Sequence, residues 1–128
     1  MTTREDVRSF LDRLELPVEP VADDMWKVRT EEGAELIVHY APPVLVLRVQ
    51  VMPLPSDPTR SADLCRRLLE YNARELVHGS YGVEGDNVVL TDALELTDLD
   101  FSEFEASVDS LSLALASHVG ALASFGTR

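Results

Sequence analysis

The chain has 128 residues with a single cysteine, and its 23 acidic residues against 11 basic ones give a formal net charge of -12 at pH 7. A field of that sign repels phosphate backbones and anionic lipid surfaces, so nucleic acid and membranes are poor partners. One cysteine leaves no internal disulfide and fits a reducing compartment. With 45% hydrophobic and 27% charged residues the composition is that of a globular domain, and a chain this long buries roughly two thirds of its unfolded surface.

Charges run through Met1 to Asp12, which lacks the apolar centre of a signal peptide, and no run of eighteen apolar residues occurs. The expectation is one soluble, cytoplasmic domain over residues 1–128. Thr3 and Asp6 resemble a capping box, and Val7, Phe10, Leu11 and Leu14 repeat at helical spacing until Pro17 stops them. Pro17 and Pro20 predict an extended connector.

Met25 to Thr30 alternates, Trp26 and Val28 against Lys27 and Arg29, and reads as a strand. After a turn at Glu31, Glu32 and Gly33, Glu35 to Ala41 places Leu36, Val38 and Tyr40 on one face and Ile37 and His39 on the other. Beyond Pro42 and Pro43, Val44 to Met52 directs Leu45, Leu47, Val49 and Val51 one way and Val44, Val46, Arg48 and Gln50 the other. Connections this short predict an antiparallel meander.

Leu64, Leu68, Leu69, Asn72 and Leu76 define a second helix, expected from near Ser61 to a cap at His78 and Gly79. Two strands, Gly79 to Glu84 and Asn87 to Thr91, then pair around Gly85 and Asp86, with Tyr81, Val83, Val88 and Leu90 as buried candidates. Asp100 and Glu103 cap a last helix whose stripe is Phe101, Phe104, Val108, Leu111, Leu115, Val119 and Leu122. The fold class predicted is α+β, a two-layer α/β sandwich with a five-stranded antiparallel sheet, in the order α-β-β-β-α-β-β-α.

No catalytic residue, metal ligand or cofactor is expected. His39, His78 and His118 are too scattered for a zinc site beside one cysteine, and Gly79-Ser80-Tyr81-Gly82 has His78 where a nucleophile elbow needs glycine. Gly82 and Gly85 make no phosphate loop. Asp92, Glu95, Asp98 and Asp100 lack the order of a calcium loop and read as a solvated loop and helix start, part of an acidic run from Glu84 to Asp109 that holds no Lys or Arg. Cys65 reads as a small hydrophobe, and Asn72, which interrupts an apolar stripe, as an amide satisfied by neighbouring backbone.

If the apolar faces of the meander meet the helices, Ile37, Val44 and Val46 lie on the reverse face with Lys27, Arg29 and Arg48, and this is the candidate surface for a protein or peptide partner. Ser110 to Thr127 contains no charged residue, which suits a helix touching protein on more than one side.

The order of elements, Leu68-Leu69-Glu70-Tyr71-Asn72 in the middle helix, and Val88-Val89-Leu90 before a leucine-bearing loop and an Asp-capped final helix resemble the type III secretion chaperone-like superfamily, which includes effector chaperones and YbjN-type bacterial proteins. The resemblance implies a small acidic cytoplasmic homodimer without enzymatic activity that holds an extended segment of a partner polypeptide. It also suggests a dimer interface on the middle helix and following hairpin, with Leu69, Tyr71, Tyr81 and Val83 as its residues. The alternative is a YbjN-type regulatory or adaptor protein that binds a folded partner through its acidic surface.

Overall fold

Reciprocal side-chain and backbone bonds open the first helix in the computed structural model, which describes residues 1–126. Helix α1 (Arg4–Arg13) begins where the Thr3 hydroxyl accepts from the Asp6 amide and the Asp6 carboxylate accepts from the Thr3 amide at 2.9 Å. The Thr3 backbone bond, followed by the Thr3 hydroxyl, holds the Asp6 carboxyl below its ordinary value of 3.8. A depressed carboxylate stabilises the fold fully above that ordinary value, and the contribution disappears as pH falls through the lower folded-state value. Asp6→Ala should therefore lower the melting temperature near neutral pH, and the gap from the parent should close in a melting series as the pH falls through the lowered folded-state value.

The strands are β1 (Val18–Ala22), β2 (Met25–Arg29), β3 (Glu35–Ala41), β4 (Val44–Pro53), β5 (Ser80–Glu84) and β6 (Asn87–Glu95), and the other helices are α2 (Pro58–Arg74) and α3 (Phe101–Ala123). All six strands form one antiparallel sheet in the order β1-β2-β3-β4-β6-β5. The expected five-stranded sheet is thus corrected to six. The addition is β1, where the sequence predicts a connector: Val18 pairs with Val28 and Glu19 with Lys27. Prolines are tolerated on an edge strand, and β1 is so exposed that it carries no apolar alternation to betray it.

The middle helix also starts earlier and ends sooner than expected. Asp57 caps it, accepting from the Arg60 amide at 3.0 Å, and Pro58 occupies its first turn, where a missing N–H costs nothing. Gly79 does not cap α2, which ends at Arg74. It has φ +76°, and a Cβ there would lie 2.6 Å from the Thr91 carbonyl oxygen and 2.8 Å from Leu111 Cδ2, so only glycine passes between β6 and α3. Strand β6 runs on past Thr91 to pair Glu95 with Val44, so Asp92 and Glu95 belong to a strand and not to a loop. Asp92 accepts a 2.7 Å bond from the Ser107 hydroxyl.

Helix α3 repeats the opening motif, with Asp100 and Glu103 as its reciprocal pair. Its length and composition are sufficient to cross a membrane, but Phe104, Val108, Leu111 and Leu122 are buried against the rest of the chain. Val119, expected in that stripe, is exposed, as is Leu69 on α2; Tyr71 and His118 are buried instead. Cys65 is only half-buried.

One core joins Val7 and Leu11 of α1, Leu64, Leu68 and Tyr71 of α2, and the α3 stripe to Trp26, Val28, Leu36, Val38, Leu45, Leu47, Val49, Val88 and Leu90. These strand residues all belong to a single face of the sheet, as the registers require. The helices therefore form one layer and the sheet the other.

Candidate functional site: the uncovered sheet face

Alternation along each strand sends the remaining side chains to the opposite face, and the registers arrange them in rows. Lys27, Ile37, Arg48 and Thr91 form one row, and Met25, His39, Val46 and Ala93 the next, while Val44 pairs with Ala41. Ile37, Val46 and Val44 consequently lie on the adjacent strands β3 and β4. All three are half-buried by their sheet neighbours and stand outside the core cluster. An apolar strip at the centre of a sheet face, left uncovered by helices, is available for contact.

The basic residues expected beside that strip are not free. Lys27 Nζ and Arg29 lie 3.7 and 3.6 Å from the same Glu35 carboxylate oxygen, and Arg48 pairs with Glu84, one guanidinium nitrogen donating at 3.0 Å. Cross-strand register, invisible along the chain, brings Arg29 opposite Glu35. The Arg48–Glu84 pair also runs diagonally over the row that holds Val89, which points outward and is nevertheless buried. The structure thus places Lys27, Arg29, Arg48, Ile37, Val44 and Val46 on one face, with Lys27 and Arg29 sharing the single Glu35 carboxylate and Arg48 paired with Glu84.

The residues assigned to a dimer interface separate into two pairs. Tyr71 and Tyr81 are buried within the chain's own core, their ring centroids 6.0 Å apart, whereas Leu69 and Val83 are 66% and 49% exposed.

Sequence reasoning missed the buried network around these tyrosines. The His118 ring stacks on Tyr71 at 3.7 Å, its Nε2 donates to the Glu75 carboxylate at 3.0 Å, and its Nδ1 lies 2.7 Å from the Tyr81 hydroxyl oxygen. Glutamate, histidine and a hydroxyl in line resemble a proton relay. Burial, then Tyr71 and Glu75, pushes the Tyr81 phenol well above its ordinary value, so the hydroxyl is held protonated and is no nucleophile. Its role is to tie α2, β5 and α3 together. Tyr71, Tyr81 and His118 are too far apart in sequence for spacing to reveal them.

A groove of about 610 Å³ lies between the second half of α3 and the end of β4, walled by Val49, Met52, Leu115, Val119 and Leu122. Glu32 stands at its rim, bonded by the Ser112 hydroxyl. Among the described residues, no group of three His, Cys, Asp or Glu side chains is placed to hold a metal ion.

A helical layer covering one face of an antiparallel sheet, with the reverse face uncovered, defines a two-layer α+β sandwich. The chain belongs to the type III secretion chaperone family CesT_Tir_1, whose model matches residues 1–128. Solved structures share the fold at low identity. A chain of the heterodimeric ExoU–SpcU complex from the type III secretion system of Pseudomonas aeruginosa is 16% identical, with 93% of this chain and 96% of that one covered and a TM-score of 0.71. YbjN from E. coli is 12% identical over 92% of each chain, with a TM-score of 0.68. The Yersinia pestis type III secretion chaperone SycH, solved with a fragment of YscM2, is 15% identical over 90% of this chain and 98% of that one, with a TM-score of 0.64. No curated protein sequence matches the chain.

Proposed function

We propose that the protein is a non-enzymatic, cytoplasmic chaperone-like module that holds a segment of a partner polypeptide. The observation that carries this reading is the uncovered sheet face, where Ile37, Val44 and Val46 form an apolar strip flanked by charges already paired within the chain. Complete burial of such side chains contributes roughly 1.5–3 kcal/mol each, enough for several together to retain a peptide once ordering costs are met. Membership of the chaperone family and the chaperone–partner complexes among its structural neighbours support the same reading.

The active unit in this proposal is a homodimer joined at α2 and the β5–β6 hairpin, with Leu69 and Val83 as its exposed apolar residues. Charge favours the pairing: α2 holds four arginines against Asp63 and Glu70, whereas the hairpin has no base and carries Asp86, Asp92 and Glu95 besides the Glu84 that pairs with Arg48. A two-fold arrangement seats each helix on the other copy's hairpin. Light scattering at micromolar concentration should give twice the 14.2 kDa chain mass. A monomer mass would overturn the dimer.

An adaptor that grips a folded partner through its acidic surface is the competing reading, favoured by the exposed carboxylates from Glu84 to Glu105. Salt separates the two. At about 1 M salt the screening length is near 3 Å, so a partner held on acidic surface should dissociate, whereas an apolar segment co-purifying from the host should stay bound. Release of the partner in that wash would favour the adaptor.

A further inference from the structure

We propose that the groove between α3 and the end of β4 is a ligand site for a small amphiphilic cation, a molecule with one apolar chain or ring and one protonated amine, and that Glu32 at the rim holds the amine. The site lies on the helix-bearing side of the sheet, and the inference does not depend on the partner-binding reading above.

Apolar side chains line the groove in graded depth. Val49 and Leu122 are 5% and 3% exposed and make its floor, Met52 and Leu115 are half-buried walls, and Val119 stands 63% exposed at the lip. Helix α3 carries no Asp, Glu, Lys or Arg from Ser110 onward, so its side of the groove is free of charge. The volume of about 610 Å³ is that of a site which encloses a small ligand.

Two turns bound the space. Glu32 and Gly33 line it between β2 and β3, and Ala123 and Gly126 line it at the close of α3. The second of these is held in place, because the Arg60 guanidinium donates to the Ser124 carbonyl at 2.9 Å and Phe125 packs against the core. A ligand of limited length fits between them.

Charge selects the ligand. Among the described residues that line the groove, Glu32 and Glu35 are the charged ones, and both are acidic. Glu35 already serves Lys27 and Arg29. Glu32 accepts from the hydroxyl of Ser112, a neutral donor that is 4% exposed. That bond keeps the carboxylate at the rim without cancelling its charge, and a carboxylate has further lone pairs to offer an ammonium group. The net charge of -12 draws a cation toward this mouth and repels a fatty acid of the same shape.

The test titrates the full chain with decylammonium and with decanoate, below the concentration at which either forms micelles. The two share chain length and carry opposite charge at pH 7. Calorimetry should show decylammonium saturating one site at least about tenfold more tightly than decanoate. Octylammonium should bind roughly fifteenfold more weakly than decylammonium, at about fourfold per methylene. Glu32→Gln keeps an oxygen for Ser112 and should weaken decylammonium roughly fivefold with no change in melting temperature. Amide NMR shifts should centre on Leu115 and Val119. Equal binding of the two probes, no loss in Glu32→Gln, or shifts on Ile37 and Val46 instead would overturn the site. So would a failure of both probes to saturate while a co-purified polypeptide protects the groove from hydrogen exchange, which would assign it to that partner. The probes are not polypeptides, so their failure leaves the partner-binding reading untouched.

Discussion

Val46→Asp should abolish capture of the partner polypeptide, lowering its affinity by at least about a hundredfold, while the protein remains folded. Val46 sits on the central strand β4, with His39 opposite on β3 and Ala93 on β6, in the middle of the outer strip. A carboxylate there removes apolar contact and must itself be desolvated when a partner covers it, so both effects oppose binding. In the free protein the side chain is only half-buried, and the substitution should cost on the order of 1 kcal/mol of strand preference. Co-purification followed by mass spectrometry reads the first effect and a thermal melt the second. Undiminished capture would remove the outer face from the reading, and an unfolded variant would place Val46 in the core.

Phe104→Ala should destabilise the fold by about 3–5 kcal/mol, a large part of the stability of a domain this size. Phe104 is fully buried on the first turn of α3, and its ring packs 6.0 Å from that of Phe10, which also meets Phe101 at 6.1 Å. Truncation opens a cavity where α1, α3 and the sheet converge. Rigid strands on one side and two helices on the other leave it little room to collapse. A urea titration should show a lower midpoint at unchanged slope. A loss below about 1 kcal/mol would mean that α1 shifts to fill the space.

The two substitutions act on opposite faces of one layer, and the contrast between them shows how far linear pattern reaches. Alternation in Met25 to Arg29, Glu35 to Ala41 and Val44 to Gln50 separates core from outer residues correctly, because a strand has a period of two and only one face meets the helices; beyond Gln50 a bulge shifts the register, and Met52 instead of Val51 stands opposite Val88. Capping residues at Thr3 and Asp100 are equally legible, since their partners lie three residues away. Asn72 is also read correctly as an amide satisfied by backbone. Strand β1 escapes because an edge strand with both faces exposed needs no apolar period, and its prolines suggest a connector. Leu69 and Val119 mislead in the other direction: helical spacing identifies a stripe but not its width.

The sequence by itself determined the α+β class, the alternating faces of the meander, the two reciprocal helix caps and the strip of Ile37, Val44 and Val46. Each of these depends on residues within a turn or a strand of one another. Only the tertiary structure decided that Glu35 and Glu84 pair with the cations beside that strip, that His118 joins Tyr71, Tyr81 and Glu75, and that Asn72 bonds the Tyr81 backbone on β5. Those are contacts between distant segments, set by register and by the angle at which helices cross a twisted sheet, and periodicity along the chain carries no information about either.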